Sequence, residues 1–245
     1  MKKWILRILS GIITVIIIFY LFIQLFTGKA LQDVDKYLKT TKQVEFIDDP
    51  WLIFKPREQQ VKAGFVFYPG GLVDAESYSR LMSYLAQRGI VSVITPVGMR
   101  IAFTNKNAAH DVIKSFPKIK KWFIGGHSLG GVVASFFLRD NKEDKVCGVI
   151  LLGSFLPDKN RITNIKLPTI SIYGTNDGYA HIFEPTKYNF SPKTTMHKIE
   201  GGNHGQFGYY GFHIGKDKKA TISREKQQST TEKLVYKFIE NTLKK

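Results

Sequence analysis

The sequence predicts an α/β domain built on a doubly wound, mostly parallel sheet. Three observations carry that prediction. From Ala63 onward, short apolar runs alternate with longer stretches whose apolar residues recur every three or four positions. The short runs, among them FVFY, IVSVIT and VCGVILLG, are apolar on both faces, as strands are when helices cover each side of a sheet. No internal repeat or low-complexity tract interrupts the alternation.

The elements follow in order. From Trp4 to Phe26 the chain is apolar apart from Arg7, Ser10, Thr14 and Gln24. At ~1.5 Å per residue it crosses a hydrocarbon core of ~30 Å. A cleaved signal peptide has an apolar region of about 7 to 15 residues, so the length favours an uncleaved anchor even though Gly28-Lys29-Ala30 is a passable cleavage site. Residues 1–28 are therefore expected to form a cytoplasmic tip and transmembrane anchor. Lys2, Lys3 and Arg7 precede the span and place the N-terminus in the cytoplasm and the domain outside the cell membrane, although Lys29, Lys36, Lys39 and Lys42 dilute the asymmetry.

Residues 29–62 read as a stalk and first strands. Leu31, Val34 and Leu38 have helical spacing, and VEFIDD and PWLIFKP form two short strands around Asp48, Asp49 and Pro50. Residues 63–245 are the α/β domain. Gly64–Tyr68 is a strand; Tyr78, Leu81, Met82 and Leu85 mark a helix ended by Gly89; Ile90–Thr95 is a strand. Ala109, Val112, Ile113 and Phe116 mark a helix stopped at Pro117. KWFIGG is a strand, Leu129–Arg139 a helix, and VCGVILLG, PTISIYG and TTMHKIEG are strands. A final helix is expected from about Ser229 or Thr230, burying Leu234, Val235, Phe238 and Ile239.

Lys and Arg number 36 against 20 Asp and Glu, a formal charge of +16. Such a surface favours a polyanion, here an anionic lipid surface or wall polymer. Nucleic acid is not expected as a partner, because zinc-ligand spacing, RNP-like runs and long basic helices with interleaved aromatics are all missing. The single cysteine, Cys147, excludes an internal disulfide and lies in an apolar run, where a buried thiol is expected.

Gly126-His127-Ser128-Leu129-Gly130 is a GxSxG motif that closes a strand and opens a helix. That context suits a nucleophile elbow, a strained turn in which small residues two before and two after the serine let the backbone pass close by and expose the hydroxyl. A serine hydroxyl needs a base, and the base needs an orienting group. In this kind of fold they follow in the order serine, acid, histidine. Asp177 lies in the turn after SIYG, and His204 follows the last strand. Alone, Asp177 reads as an Asn-Asp-Gly turn residue and His204 as a loop histidine; together with the elbow they form a candidate triad. His213 shares the loop of His204 and is its rival, ahead of His110, His181 and His197. His127 is expected to point away from the site into packing. Asp158 is the alternative acid. The backbone N–H of Leu129 is a candidate oxyanion donor, and PGGLVD supplies a second from Gly71 or Leu72.

These residues resemble the α/β-hydrolase superfamily, and more closely its bacterial fold-5 branch related to dienelactone hydrolases. The resemblance rests on FYPGGLVDAESY, GGHSLGG, IYGTNDG, EGGNHGQFGYYG and ATISREKQQ, and spans about Gly64 to Gln228. It implies Ser128, Asp177 and His204 as the triad, with Gly71 or Leu72 and Leu129 at the oxyanion hole. Dienelactone hydrolases carry a cysteine where this chain has Ser128, which points to ester or thioester hydrolysis through an acyl-enzyme. Between Ser154 and Leu167 there is no room for a large cap, so the site is expected to be open, with Phe103, Phe155, Leu156 and Tyr179 as walls. The substrate is a small-molecule or lipid-like acyl compound; no cofactor or metal is expected. An acyltransferase with the same triad and a non-catalytic surface-binding protein are the alternatives.

Overall fold

Phe65 and Phe67 face one side of β3 (Ala63–Tyr68) and Val66 and Tyr68 the other, and this alternation feeds two separate cores. The computed structural model describes residues 2–95, 98–158, 161–179, 189–211, 215 and 217–244. Its strands are β1 (Val44–Ile47), β2 (Leu52–Pro56), β3, β4 (Ile90–Ile94), β5 (Trp122–His127), β6 (Val146–Leu152), β7 (Thr169–Gly174) and β8 (Thr194–Ile199). They form one sheet in the order β1-β2-β4-β3-β5-β6-β7-β8. β1 and β2 are antiparallel to their neighbours, and every pair from β4 through β8 is parallel.

Helices cover both faces. On one side α2 (Ser79–Ala86) and α5 (Arg224–Leu243) bury Leu81, Met82, Leu85, Val235 and Ile239 against Phe65, Phe67 and Phe123. On the other, α3 (Ala108–Ser115) and α4 (Leu129–Asp140) bury Val112, Ile113, Val133, Ala134 and Phe137 against Val66, Tyr68, Trp122 and Ile124. Each wholly buried Leu or Phe contributes about 1.5–3 kcal/mol through the area it removes from water. The half-buried Cys147 thiol donates to the Trp122 carbonyl at 3.3 Å, and burial pushes its pKa up, away from reactivity.

Two elements differ from expectation. The last helix begins five or six residues early, at Arg224, where the Ser223 hydroxyl caps it by accepting the Lys226 N–H at 3.2 Å. Its first turn buries Gln227 and Gln228 instead of apolar side chains, so hydrophobic periodicity does not reveal it. The segment read as a stalk is packed on the domain. After α1 (Lys2–Phe26), Gly28 forms a parallel bridge with Val73 and Ala30 an antiparallel bridge with Tyr210. Val34 is buried in a single 3-10 turn, because backbone pairing with two loops anchors this polar stretch.

Replacing Ser223 with Ala removes the cap and is expected to cost about 0.5–2 kcal/mol. Thermal unfolding checks it, with a Tm fall of about 2–4 °C per kcal/mol.

Candidate active site

In a parallel sheet the loops at the carboxyl ends of the strands carry the chemistry. Ser128 joins β5 to α4 with φ 52° and ψ −121°, backbone that a residue with a Cβ rarely adopts. Close packing imposes it. A Cβ on Gly130 would lie 2.1 Å from the Tyr68 carbonyl oxygen, and one on Gly126 2.5 Å from the same atom. The chain therefore passes β3 closely only with glycine at both positions, and Ser128 is lifted between them, partly exposed. Its own N–H donates to the Leu152 carbonyl at 2.9 Å.

Asp177 and His204 are in direct contact. His204 Nδ1 lies 2.9 Å from Asp177 Oδ2, and both residues are buried. A carboxylate accepts only, so Nδ1 carries the proton and Nε2 the lone pair. The other Asp177 oxygen accepts the Tyr179 N–H at 2.8 Å. The loop after β8 carries His204 back over the sheet: a Cβ on Gly153, which follows β6, would lie 3.1 Å from His204 Nδ1. The His204 ring centroid is 4.6 Å from that of His127, the residue before Ser128. Among the described residues, the Ser128 hydroxyl makes no hydrogen bond.

The remaining expected residues separate. Leu129 is the first residue of α4, so its N–H has no partner within the helix. Gly71 lies against it, with a built Cβ 3.0 Å from Leu129 Cδ2. Leu72 is corrected: its N–H donates to the Arg100 carbonyl at 2.8 Å, in backbone of φ 54°, and is spent there. Leu156 is also corrected. It is fully buried with Val149, Leu151, Ile162 and Phe190, because the chain after β6 turns inward to close a third small core. Phe103 is 42% exposed and packs edge-on against Phe136; Phe155 is half-buried; the Tyr179 ring lies 4.8 Å from that of His204, tilted by 56°. Asp158 is exposed and binds Asn189, His110 pairs with Glu143, and His197 lies within β8. His181 and His213 lie outside the described residues. Among the described residues, no group of three or more His, Cys, Asp or Glu is disposed to hold a metal ion.

Residues 64–229 match the sequence model of the Alpha/beta hydrolase family. The chain belongs to the α/β-hydrolase family. No protein of curated function matches it. Its fold is similar to a soluble variant of monoglyceride lipase from Saccharomyces cerevisiae in complex with a substrate analogue (TM-score 0.60, 12% identity, covering 84% of this chain and 97% of that one). It is also similar to a ferulic acid esterase from Streptomyces cinnamoneus (0.58, 17%, 77% and 69%) and to TT1662 from Thermus thermophilus (0.56, 13%, 82% and 98%).

In this member of the α/β-hydrolase family, further side chains brace the candidate site. His127 does not simply point into packing. Its Nε2 lies 3.1 Å from the His204 carbonyl oxygen and its Nδ1 2.8 Å from the Tyr78 hydroxyl. With Nε2 donating, Nδ1 accepts from Tyr78, whose oxygen accepts the Gly70 N–H at 3.1 Å. Burial holds the Tyr78 phenol pKa far above its ordinary value, so it remains a donor. One relay thus ties the loop after β3 to the loop of His204. Asp217 accepts the N–H groups of His204 at 3.0 Å, Gly205 at 2.7 Å and Gly178 at 3.3 Å, joining the loops of Asp177 and His204. Gln227, fully buried, accepts the Asn203 N–H at 3.0 Å and donates to the Asn203 carbonyl at 2.7 Å; Gln228 donates to the Gln206 carbonyl. The QQ pair of α5 therefore grips the histidine loop.

Tyr78→Phe removes the hydroxyl that His127 Nδ1 and the Gly70 N–H share, a loss of about 1–3 kcal/mol. Guanidinium unfolding is expected to show the lowered midpoint, and hydrogen exchange at Gly70 to accelerate.

Proposed function

We propose that the protein is a membrane-anchored serine hydrolase that cleaves a carboxylic ester or thioester through an acyl-enzyme. The observation that carries the reading is the buried 2.9 Å pair of His204 and Asp177, with the His204 ring 4.6 Å from that of His127, the residue before a serine held at φ 52°. Ser128 Oγ attacks the acyl carbonyl while His204 Nε2 takes its proton. Asp177 fixes the imidazole tautomer and stabilises the charge it acquires. The oxyanion of the tetrahedral intermediate forms at the positive N-terminus of α4, facing the Leu129 N–H, with the backbone of Gly71 alongside. His204 then protonates the leaving group, and water attacks the acyl-serine by the same route in reverse.

The anchoring half of the proposal is supported by α1, the one helix among the described residues long and apolar enough to cross a membrane. Lys2, Lys3 and Arg7 at its start favour a cytoplasmic N-terminus and an extracellular domain. The esterase and lipase among the structural neighbours make ester chemistry the natural class to assay, and the +16 charge suits residence near anionic lipid or wall polymer.

A fluorescent fluorophosphonate is expected to label the full-length protein in detergent and to leave Ser128→Ala unlabelled. Equal labelling of both removes Ser128 from the mechanism. Asp177→Asn keeps the shape but offers the wrong imidazole tautomer, with kcat on an aryl ester expected to fall by about 10⁴-fold.

A further inference from the structure

We propose that α1 holds the Ser128 face of the domain against the bilayer, so that the site takes acyl esters of bilayer lipids directly from the membrane interface. This deepens the function proposed above and rests on reading α1 as a span and Ser128 as the nucleophile. The last turn of the helix is not free. Ile23 and Thr27 are each 4% exposed, Thr27 Oγ1 donates to the Ile23 carbonyl at 2.6 Å, and Gly28 is buried. The chain then runs between the two loops that flank the site. Gly28 donates to the Leu72 carbonyl at 2.8 Å and accepts from the Asp74 N–H at 3.1 Å; Leu31 donates to the Tyr209 carbonyl at 2.9 Å, and Lys29 accepts from Gly211 at 3.0 Å. Asp74 locks the junction: one carboxylate oxygen accepts the Ala30 N–H at 3.2 Å, and the other accepts from Arg100 Nε at 2.5 Å.

Lengths then set the height of the site above the membrane. Large apolar side chains from Trp4 to Phe22 are 43% to 70% exposed, which needs a hydrocarbon partner. That stretch rises about 29 Å at ~1.5 Å per residue, matching a hydrocarbon core of ~30 Å, with Trp4 and Tyr20 near its two ends where amphipathic rings settle. The docked Thr27 follows within about 8 Å, inside the headgroup layer. From Gly28 the route to Ser128 is a hydrogen bond to Leu72, the neighbouring Gly71, its contact with Leu129, and one more residue. At ~3.8 Å per Cα step and ~5 Å per paired strand this is on the order of 15–20 Å. Phe103, exposed and three residues from Arg100, sits on the same edge. Lys120, ahead of β5, marks the opposite end of the sheet. The path bounds Ser128 to within about 15–20 Å of headgroup depth, and the acyl ester of a bilayer lipid, drawn up from that layer, is the substrate this position favours.

Two measurements on the full chain in phosphatidylglycerol–phosphatidylcholine vesicles test this. In a Cys147→Ser background, an environment-sensitive fluorophore on Phe103→Cys is expected to be quenched several-fold more by headgroup spin-labelled lipid than one on Lys120→Cys. Equal quenching overturns the proposal, and this readout needs no catalysis. Second, a 20-residue Gly-Ser spacer between Phe26 and Thr27 lifts the domain off the surface. Turnover of a vesicle-borne fluorescent acylglycerol is expected to fall at least tenfold, with hydrolysis of a soluble butyrate ester unchanged. Loss on both substrates alike, or on neither, overturns it. If fluorophosphonate fails to label the wild type, the hydrolase reading falls while the quenching result still decides the orientation.

Discussion

Everything at this site depends on the close passage of two backbones: the turn from β5 into α4 crosses the end of β3 with the Tyr68 carbonyl oxygen between Gly126 and Gly130. No side chain fits there. Once the two segments are pressed together, the residue between the glycines must take up the distance by turning outward, and Ser128 does so at positive φ. Such a conformation costs of order 1–3 kcal/mol in isolation, so the strands on either side must hold it. They do: β3, β5 and β6 pair in parallel register along their length, and the Ser128 N–H joins the ladder at Leu152.

The second half of the site is assembled on loops, and its rigidity has a different source. Asp177 and His204 stand on connections that a sheet does not itself order. Their positions are set by polar side chains that return from elsewhere: Asp217 beneath two loops at once, Gln227 and Gln228 from the opposite helix, and Tyr78 with His127 from below. Gln227, Gln228, Tyr78 and His127 reach backbone N–H or C=O groups that burial would otherwise leave unpaired at about 1–3 kcal/mol apiece, while Asp217 joins its two loops nearer the surface. The polar turn of α5 thus works as a brace more than as core.

How much of this was readable in advance follows from the same contrast. The sheet, its helices and the elbow are written in apolar periodicity and glycine spacing, which are local, so FVFY, WFIGG and VCGVILL mark their strands plainly. The pairing of Asp177 with His204 was readable from their order and their place after strands. The braces were not, since a buried glutamine at the start of a helix carries the same letters as a solvated one, and only the tertiary partner distinguishes them. Leu72 and Leu156 failed for related reasons: whether a backbone N–H is already spent on Arg100, or a leucine turns into a third core, depends on chain segments far away in sequence. The start of α5 was missed because its first turn buries amides, to which a hydrophobic pattern is blind.

The bridges at Gly28 and Ala30 carry a consequence for proteolysis next to α1. A cut between a terminal helix and a domain ordinarily leaves the domain intact. Here a cut between Gly28 and Leu31 would fall inside a bridged segment that runs between the loop after β3 and the loop bearing His204. Severing it strips hydrogen-bond partners from Leu72, Asp74 and Tyr209 together. Loss of α1 by such a cut and loosening of the two loops are consequently one event, and the residues that follow α1 are a structural member of the domain.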